Sequence, residues 1–210
     1  WRQFCAVIPL FGGVVCDQEL QYCLMVRGYE ASFWNFPRGK VNEAETEIQC
    51  AAREVAEEMS LDVSALIREE DFCVVKVGPQ QKLTLFLIRG APLDSVLKPK
   101  KRKEIGEIAW VPLCLLPETG DKNKRALDGL SGGGFHDHVL KVAPHLKAWV
   151  AKTLESERRP LDGMLQSMRQ LRPRAVFKDP TEDPPVNVFV GGEPQAGIGL
   201  PGGGDVDYGG

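Results

Sequence analysis

Apolar positions along the chain alternate between two periods. From Phe4 to Val15 and from Gln21 to Val26 they form short, β-branched-rich runs, the first interrupted by Pro9 and Gly12-Gly13. Such runs read as strands, here paired through Asp17-Gln18-Glu19, with Arg27-Gly28-Tyr29-Glu30 leading onward. Between Asn42 and Met59 the period lengthens. At about 100° per residue, Ile48, Ala51, Ala52, Val55 and Met59 fall on one stripe, the face an amphipathic helix buries. Strand-like runs return at Asp71 to Val77 and Leu83 to Ile88, with Gly78-Pro79 as the hairpin turn, and at Ile105 to Val111 before a short turn or helix at Pro112 to Leu116. A second helical pattern runs from Phe135 to about Glu157 through Val139, Val142, Leu146, Trp149, Val150 and Leu154. Strands that flank one helix and close with another predict an α+β fold, an α/β/α sandwich with a mixed β-sheet.

Two segments fall outside this pattern. Asp121 to Gly134, ending in Gly132-Gly133-Gly134, reads as a flexible loop. Beyond Arg172 the composition turns Gly- and Pro-rich, too poor in apolar side chains to fold alone. The chain therefore divides into a folded domain at 1–172 and a tail at 173–210, expected to be ordered by docking on its own domain or on a partner protein.

The chemistry concentrates in the first helix. Glu54, Glu57 and Glu58 lie at i, i+3 and i+4 on the flank beside the apolar stripe. Like charges at that spacing destabilise a helix by a few tenths of a kcal/mol per pair, so a compensating charge is expected. Hard divalent cations favour carboxylate oxygens, and Mg²⁺ is usually held by one or two carboxylates together with substrate phosphates. Arg53 can pair with Glu57 one turn on or with Glu45 across the preceding turn. Pro37 and Gly39 supply a turn ahead of the helix, which brings backbone and the Arg38 and Lys40 cations up to the acidic flank.

Composition narrows the setting. With 210 residues and 43% hydrophobic content, the chain can bury one sizeable core. A net charge of -3 excludes nucleic-acid binding through overall charge, so any RNA contact must be local. The strongest local patch is Lys98-Pro99-Lys100-Lys101-Arg102-Lys103, immediately before Glu104. No apolar run is long enough to span a bilayer. The six cysteines include no C-x-x-C pair, which reads as reduced core thiols in an intracellular protein. His136, His138 and His145 read as surface or capping residues, and Trp34, Trp110 and Trp149 as core. The sequence opens at Trp1 rather than Met, which leaves room for an upstream presequence or domain.

Gly39-x5-Glu45-x7-Arg53-Glu54-Val55-x-Glu57-Glu58-x-Ser60-Leu61 resembles the Nudix box, G-x5-E-x7-R-E-U-x-E-E-x-G-U with U a bulky aliphatic. It departs only at Ser60, where a left-handed backbone would cost a modest amount without removing a ligand. Further matches resemble the Nudix domain of the catalytic subunit of the mRNA-decapping enzyme. These are Phe4 to Pro9 with Gly12 to Val15, Leu24 to Tyr29, Trp34 to Lys40, Lys103 to Trp110, and Pro144 to Val150.

The resemblance implies a Nudix fold and a pyrophosphohydrolase using Mg²⁺ or Mn²⁺. It implies that Glu54, Glu57 and Glu58 hold the metal, with the Gly39 carbonyl nearby, and that Glu104 reaches in as a further metal ligand or general base. Glu45 and Arg53 are then structural, while Arg38, Lys40, Lys100, Lys101, Arg102 and Lys103 meet substrate or RNA. The expected substrate is the 5′ end of RNA, cap or triphosphate, cleaved to a 5′-monophosphate, in the cytoplasm by resemblance. Decapping enzymes carry a helical regulatory domain ahead of the Nudix domain; without one, an uncapped 5′-triphosphate suits the chemistry better. The alternatives are a hydrolase of free nucleotides or dinucleoside polyphosphates, and a binding or scaffold module of an RNA-processing complex, with a mitochondrial setting as the other compartment.

Overall fold

The computed structural model describes residues 9–78, 81–100, 103–117, 130, 133–157, 168, 171 and 173–178. Its strands are β1 (Leu10–Asp17), β2 (Tyr22–Gly28), β3 (Trp34–Asn35), β4 (Arg38–Lys40), β5 (Phe72–Lys76), β6 (Lys82–Ala91), β7 (Ile105–Pro112) and β8 (Arg174–Lys178). Its helices are α1 (Glu47–Met59) and α2 (Asp137–Ser156), with one 3-10 turn at Leu113–Leu115. The main sheet runs β5-β6-β1-β2-β7-β8, with β3 added to β2 and β4 to β1. β1 and β6 are parallel while the other pairs are antiparallel, which makes the expected mixed sheet.

Alternation along the strands feeds two cores. Val14, Cys16 and Met25 point toward α2 and pack with Val139, Val142, Leu146 and Val150. Val15, Leu24 and Val26 point the other way, to Ala51, Val55 and Met59 of α1. A strand covered on both faces reads as a continuous apolar run instead of an alternating one, as β1 and β7 do. Trp34 and Trp110 are fully buried, and Trp149 is half-buried with its indole N–H donating to Asp71 Oδ1 at 2.9 Å. Cys16, Cys23, Cys50 and Cys73 are buried free thiols.

The feature that positions the site is a splay between β1 and β2. The two strands pair only at Cys16↔Cys23, then diverge, and Trp34 to Lys40 fills the gap. β3 pairs with the far end of β2 and β4 with the start of β1, at Phe11↔Gly39 and Gly12↔Arg38. Gly12 is required here, because a Cβ would lie 2.0 Å from the Pro37 carbonyl oxygen. The first strand accordingly runs through both glycines to Asp17 instead of breaking at them.

Two boundaries differ from the sequence reading. α1 starts at Glu47, where Thr46 and Gln49 form a reciprocal capping box, several residues after Asn42. β8 lies beyond Arg172, in the segment read as tail, and pairs with β7 at Glu107↔Lys178 and Trp110↔Arg174. Residues 179–210 and most of the Asp121 to Gly134 loop lie outside the described residues.

Candidate active site

The site forms where the turn from the splay meets α1. A Cβ on Gly39 would stand 2.1 Å from the Glu54 carboxyl carbon and Oε1, so the Gly39 backbone lies directly against that carboxylate. Only glycine permits such an approach.

Arg53 ties the helix to this turn. Its Nε and Nη2 donate to the two oxygens of Glu45 at 2.7 and 3.0 Å, and Nη2 also reaches the Lys40 carbonyl at 2.9 Å. Nη1 donates to Glu54 Oε1 at 2.6 Å and stands 3.6 Å from Glu57 Oε1. Both pairings open to Arg53 in the sequence are thus realised at once. Arg53 holds the Glu45 carboxyl down to about 2, since a two-point guanidinium bond favours the charged form.

Glu58 is the opposite case. Burial pushes its carboxyl up to about 8, with Glu54 raising it further and Glu104 adding to the effect. Arg38 opposes this through its guanidinium charge and through a hydrogen bond from its backbone N–H. Burial in turn lowers the Arg38 pKa while Glu58 raises it, and its Nη1 donates to the Phe36 carbonyl at 3.2 Å. Glu54 and Glu58 from α1 and Glu104 from the loop before β7 therefore share one electrostatic environment, and Glu57 lies beside it on the open side of the helix.

Glu104 is exposed and follows Lys103, whose φ of 68 is left-handed. Its carbonyl accepts the Tyr29 N–H at 3.2 Å. The basic run passes the end of α1: Lys98 and Lys100 donate backbone N–H groups to the carbonyls of Met59 and Glu57 at 3.1 and 2.8 Å. The Lys40, Lys100 and Lys103 side chains are exposed at this rim, while Lys101 and Arg102 lie outside the described residues. On α2, Lys141 and Lys147 donate to the carbonyls of Lys76 and Leu116, tying the end of β5 and the end of the 3-10 turn to the helix.

Among the described residues no three carboxylate, imidazole or thiol side chains close into a ready-made metal cage. Arg53 occupies the face of Glu54. The donor set still fits a hard cation: oxygen ligands only, a glycine backbone against Glu54, and a carboxyl, Glu58, whose charge is disfavoured by burial and by Glu54 and Glu104 and would be favoured by a cation. Glu54, Glu57, Glu58 and the Gly39 carbonyl are the groups that would hold it.

Sequence reading does not single out Arg27 and Glu107, which are 8% and 2% exposed and paired beneath the Glu104 loop. The available signal is a charge at the end of one apolar run and another inside Ile105 to Val111. His136 caps α2 by accepting the His138 N–H, in line with a capping role.

The NUDIX domain model matches residues 8–128, and use of divalent cations is general in that family. Over 149 residues the chain is 36% identical to mRNA-decapping enzyme subunit 2 of Arabidopsis thaliana, covering 69% of this chain and 38% of that protein. It is also 36% identical over 146 residues to mRNA decapping complex subunit 2 of Schizosaccharomyces pombe, covering 69% and 19%. The chain therefore spans less than half the length of either relative. Among solved structures, the Caenorhabditis elegans Ap4A hydrolase binary complex has a similar fold, with a TM-score of 0.51 at 19% identity, covering 70% of this chain and 99% of that one. With the model match extending over more than half of the chain and spanning the helix that bears these glutamates, the chain belongs to the Nudix domain family.

Proposed function

We propose that the chain is a pyrophosphohydrolase acting on the 5′ end of RNA, cap or triphosphate, and leaving a 5′-monophosphate. The observation that carries this reading is the convergence of Glu104 with the α1 glutamates beside the Gly39 turn, with a lysine-rich rim next to it. The decapping names of relatives aligned over 69% of the chain support RNA as the substrate. The complex and subunit names also support protein partners, for which the part of the tail beyond β8, 179–210, is the proposed contact, and a cytoplasmic setting is proposed with them.

When bound, Mg²⁺ or Mn²⁺ neutralises the pyrophosphate charge and lowers the pKa of water. Arg38 and Lys40 orient the phosphates from the turn side, and Lys100, Lys101, Arg102 and Lys103 receive the RNA backbone. Glu104, on a loop apart from the helix, accepts the proton of the attacking water. The water oxygen bonds to phosphorus as the bridging P–O bond breaks, releasing a capped nucleotide or pyrophosphate and 5′-monophosphorylated RNA.

The test supplies 5′-labelled capped and triphosphorylated RNAs with Mg²⁺ or Mn²⁺. Release of capped nucleotide or pyrophosphate is expected. Cleavage of free nucleotides or dinucleoside polyphosphates with no product from either RNA contradicts the proposal, and no turnover of anything points to a binding module.

A further inference from the structure

Arg27 and Glu107 face each other across the β2–β7 ladder. Arg27 Nε and Nη2 approach Glu107 Oε2 at 3.4 and 3.2 Å. Both residues are buried. A buried ion pair often stabilises a fold no better than well-packed apolar side chains of similar volume, so stability alone gives little reason for it.

Its surroundings offer another reason. Immediately past the pair the register shifts: Arg27 opposes Glu107, but Gly28 opposes Ile105, which leaves one extra residue on β7. Such bulges bend a strand and re-aim the residues on their far side. On the far side of this one, toward the chain start, stands Glu104. Arg27 Nη1 also donates to the Ala31 carbonyl at 2.9 Å, across a turn closed by Ala31 N–H to the Gly28 carbonyl at 3.0 Å. From that turn the Tyr29 N–H holds the Glu104 carbonyl. A Cβ on Gly28 would come within 3.2 Å of Ala31 Cβ and 3.5 Å of the Glu104 carbonyl oxygen, so the packing is close on both sides. Lys103 sits left-handed just before, a conformation that persists only where the surroundings enforce it.

We propose that the Arg27–Glu107 pair is a positioning clamp for Glu104. By joining the bulged end of β7 to the Gly28-to-Ala31 turn, it sets the backbone from which Glu104 reaches the acidic flank of α1. The two residues touch neither substrate nor metal. The inference rests on the role of Glu104 proposed above.

A double-mutant cycle on 5′-labelled RNA turnover separates the possibilities. The apolar replacement Arg27→Met/Glu107→Leu keeps the volume and is expected to retain its Tm within a few degrees while kcat falls about 10- to 100-fold with KM unchanged. On a Glu104→Gln background the same replacement causes no further loss, because the clamp has nothing left to position. Unchanged kcat, an effect on KM alone, or an equal loss on both backgrounds overturns the clamp. Should the double replacement not fold, Arg27→Lys keeps the charge but lacks the fork that reaches Glu107 and Ala31 together. A drop in kcat that disappears on the Glu104→Gln background supports the clamp, and a wild-type kcat overturns it. If Glu104→Gln by itself is fully active, the role assigned to Glu104 fails together with the clamp, whereas a Glu104→Gln loss with additive clamp effects removes the clamp alone.

Discussion

Gly39 has no room for a side chain because the Glu54 carboxylate occupies the position its Cβ would take, and Arg53 prevents that carboxylate from swinging away. Gly39→Ala should therefore displace the carboxylate proposed to hold the metal more than it unfolds the domain. Turnover is expected to fall about 10- to 100-fold with little change in Tm, and near-normal kcat would show that the close approach is dispensable. Ser60 makes the complementary case. It ends α1 at φ 58, where a side chain costs about 1–2 kcal/mol, partly offset because glycine loses more entropy on folding. Ser60→Gly should stabilise by about 0.5–1 kcal/mol, seen as a higher urea midpoint at constant slope, and should leave kcat as it is.

At the scale of elements, two side chains near the helix starts, His138 in the first turn of α2 and Glu45 just before α1, link pH to stability. Burial, then His136, Arg38 and Lys141, lower His138 to about 4 from 6.5, with Asp137 opposing. The unfolded chain takes up that proton first, so stability is full above pH 6.5 and declines as pH falls toward 4. Glu45, held at about 2 against an ordinary 4.5, contributes stability above pH 4.5 that is lost as pH falls toward 2. Thermal melts across this range should show both losses; His138→Gln should remove the upper one and Glu45→Gln the lower, and an unchanged profile for either contradicts that assignment.

The elements also show what a sequence can carry. The stripe from Ile48 to Met59 and the offsets of Glu54, Glu57 and Glu58 are local, and the structure keeps them. The start of α1 is later than periodicity suggests because the Thr46–Gln49 exchange outcompetes helix propensity in the residues before it. β8 is not legible because Arg174–Lys178 becomes a strand only by adding to β7, a long-range pairing inside a segment of disorder-like composition. The β1–β2 splay is hidden for the same reason: it is filled by β3 and β4, and the close approach of the Pro37 carbonyl to Gly12 that permits this joins residues distant in sequence. Arg27 and Glu107 carry no motif, and their partnership exists only in the ladder.

For the whole molecule, a net charge of -3 means that the proposed RNA substrate would have to be attracted by the rim and not by the overall field. Among the described residues no helix is long and apolar enough to cross a membrane. If the run from Lys100 to Lys103 neutralises about three phosphates of a single strand, the logarithm of binding should fall with log salt at a slope near -2, and replacing the run with serines should flatten it. A slope that does not change on replacement removes the run from the RNA path. The decisive comparison sets wild type against Glu57→Gln and Glu58→Gln on matched capped and triphosphorylated 5′-labelled RNAs with Mg²⁺ or Mn²⁺. Wild type should release capped nucleotide or pyrophosphate while both variants, still folded, lose at least about 100-fold in kcat; a wild type silent on both RNAs, or variants as fast as wild type, contradicts RNA 5′-end hydrolysis at these carboxylates.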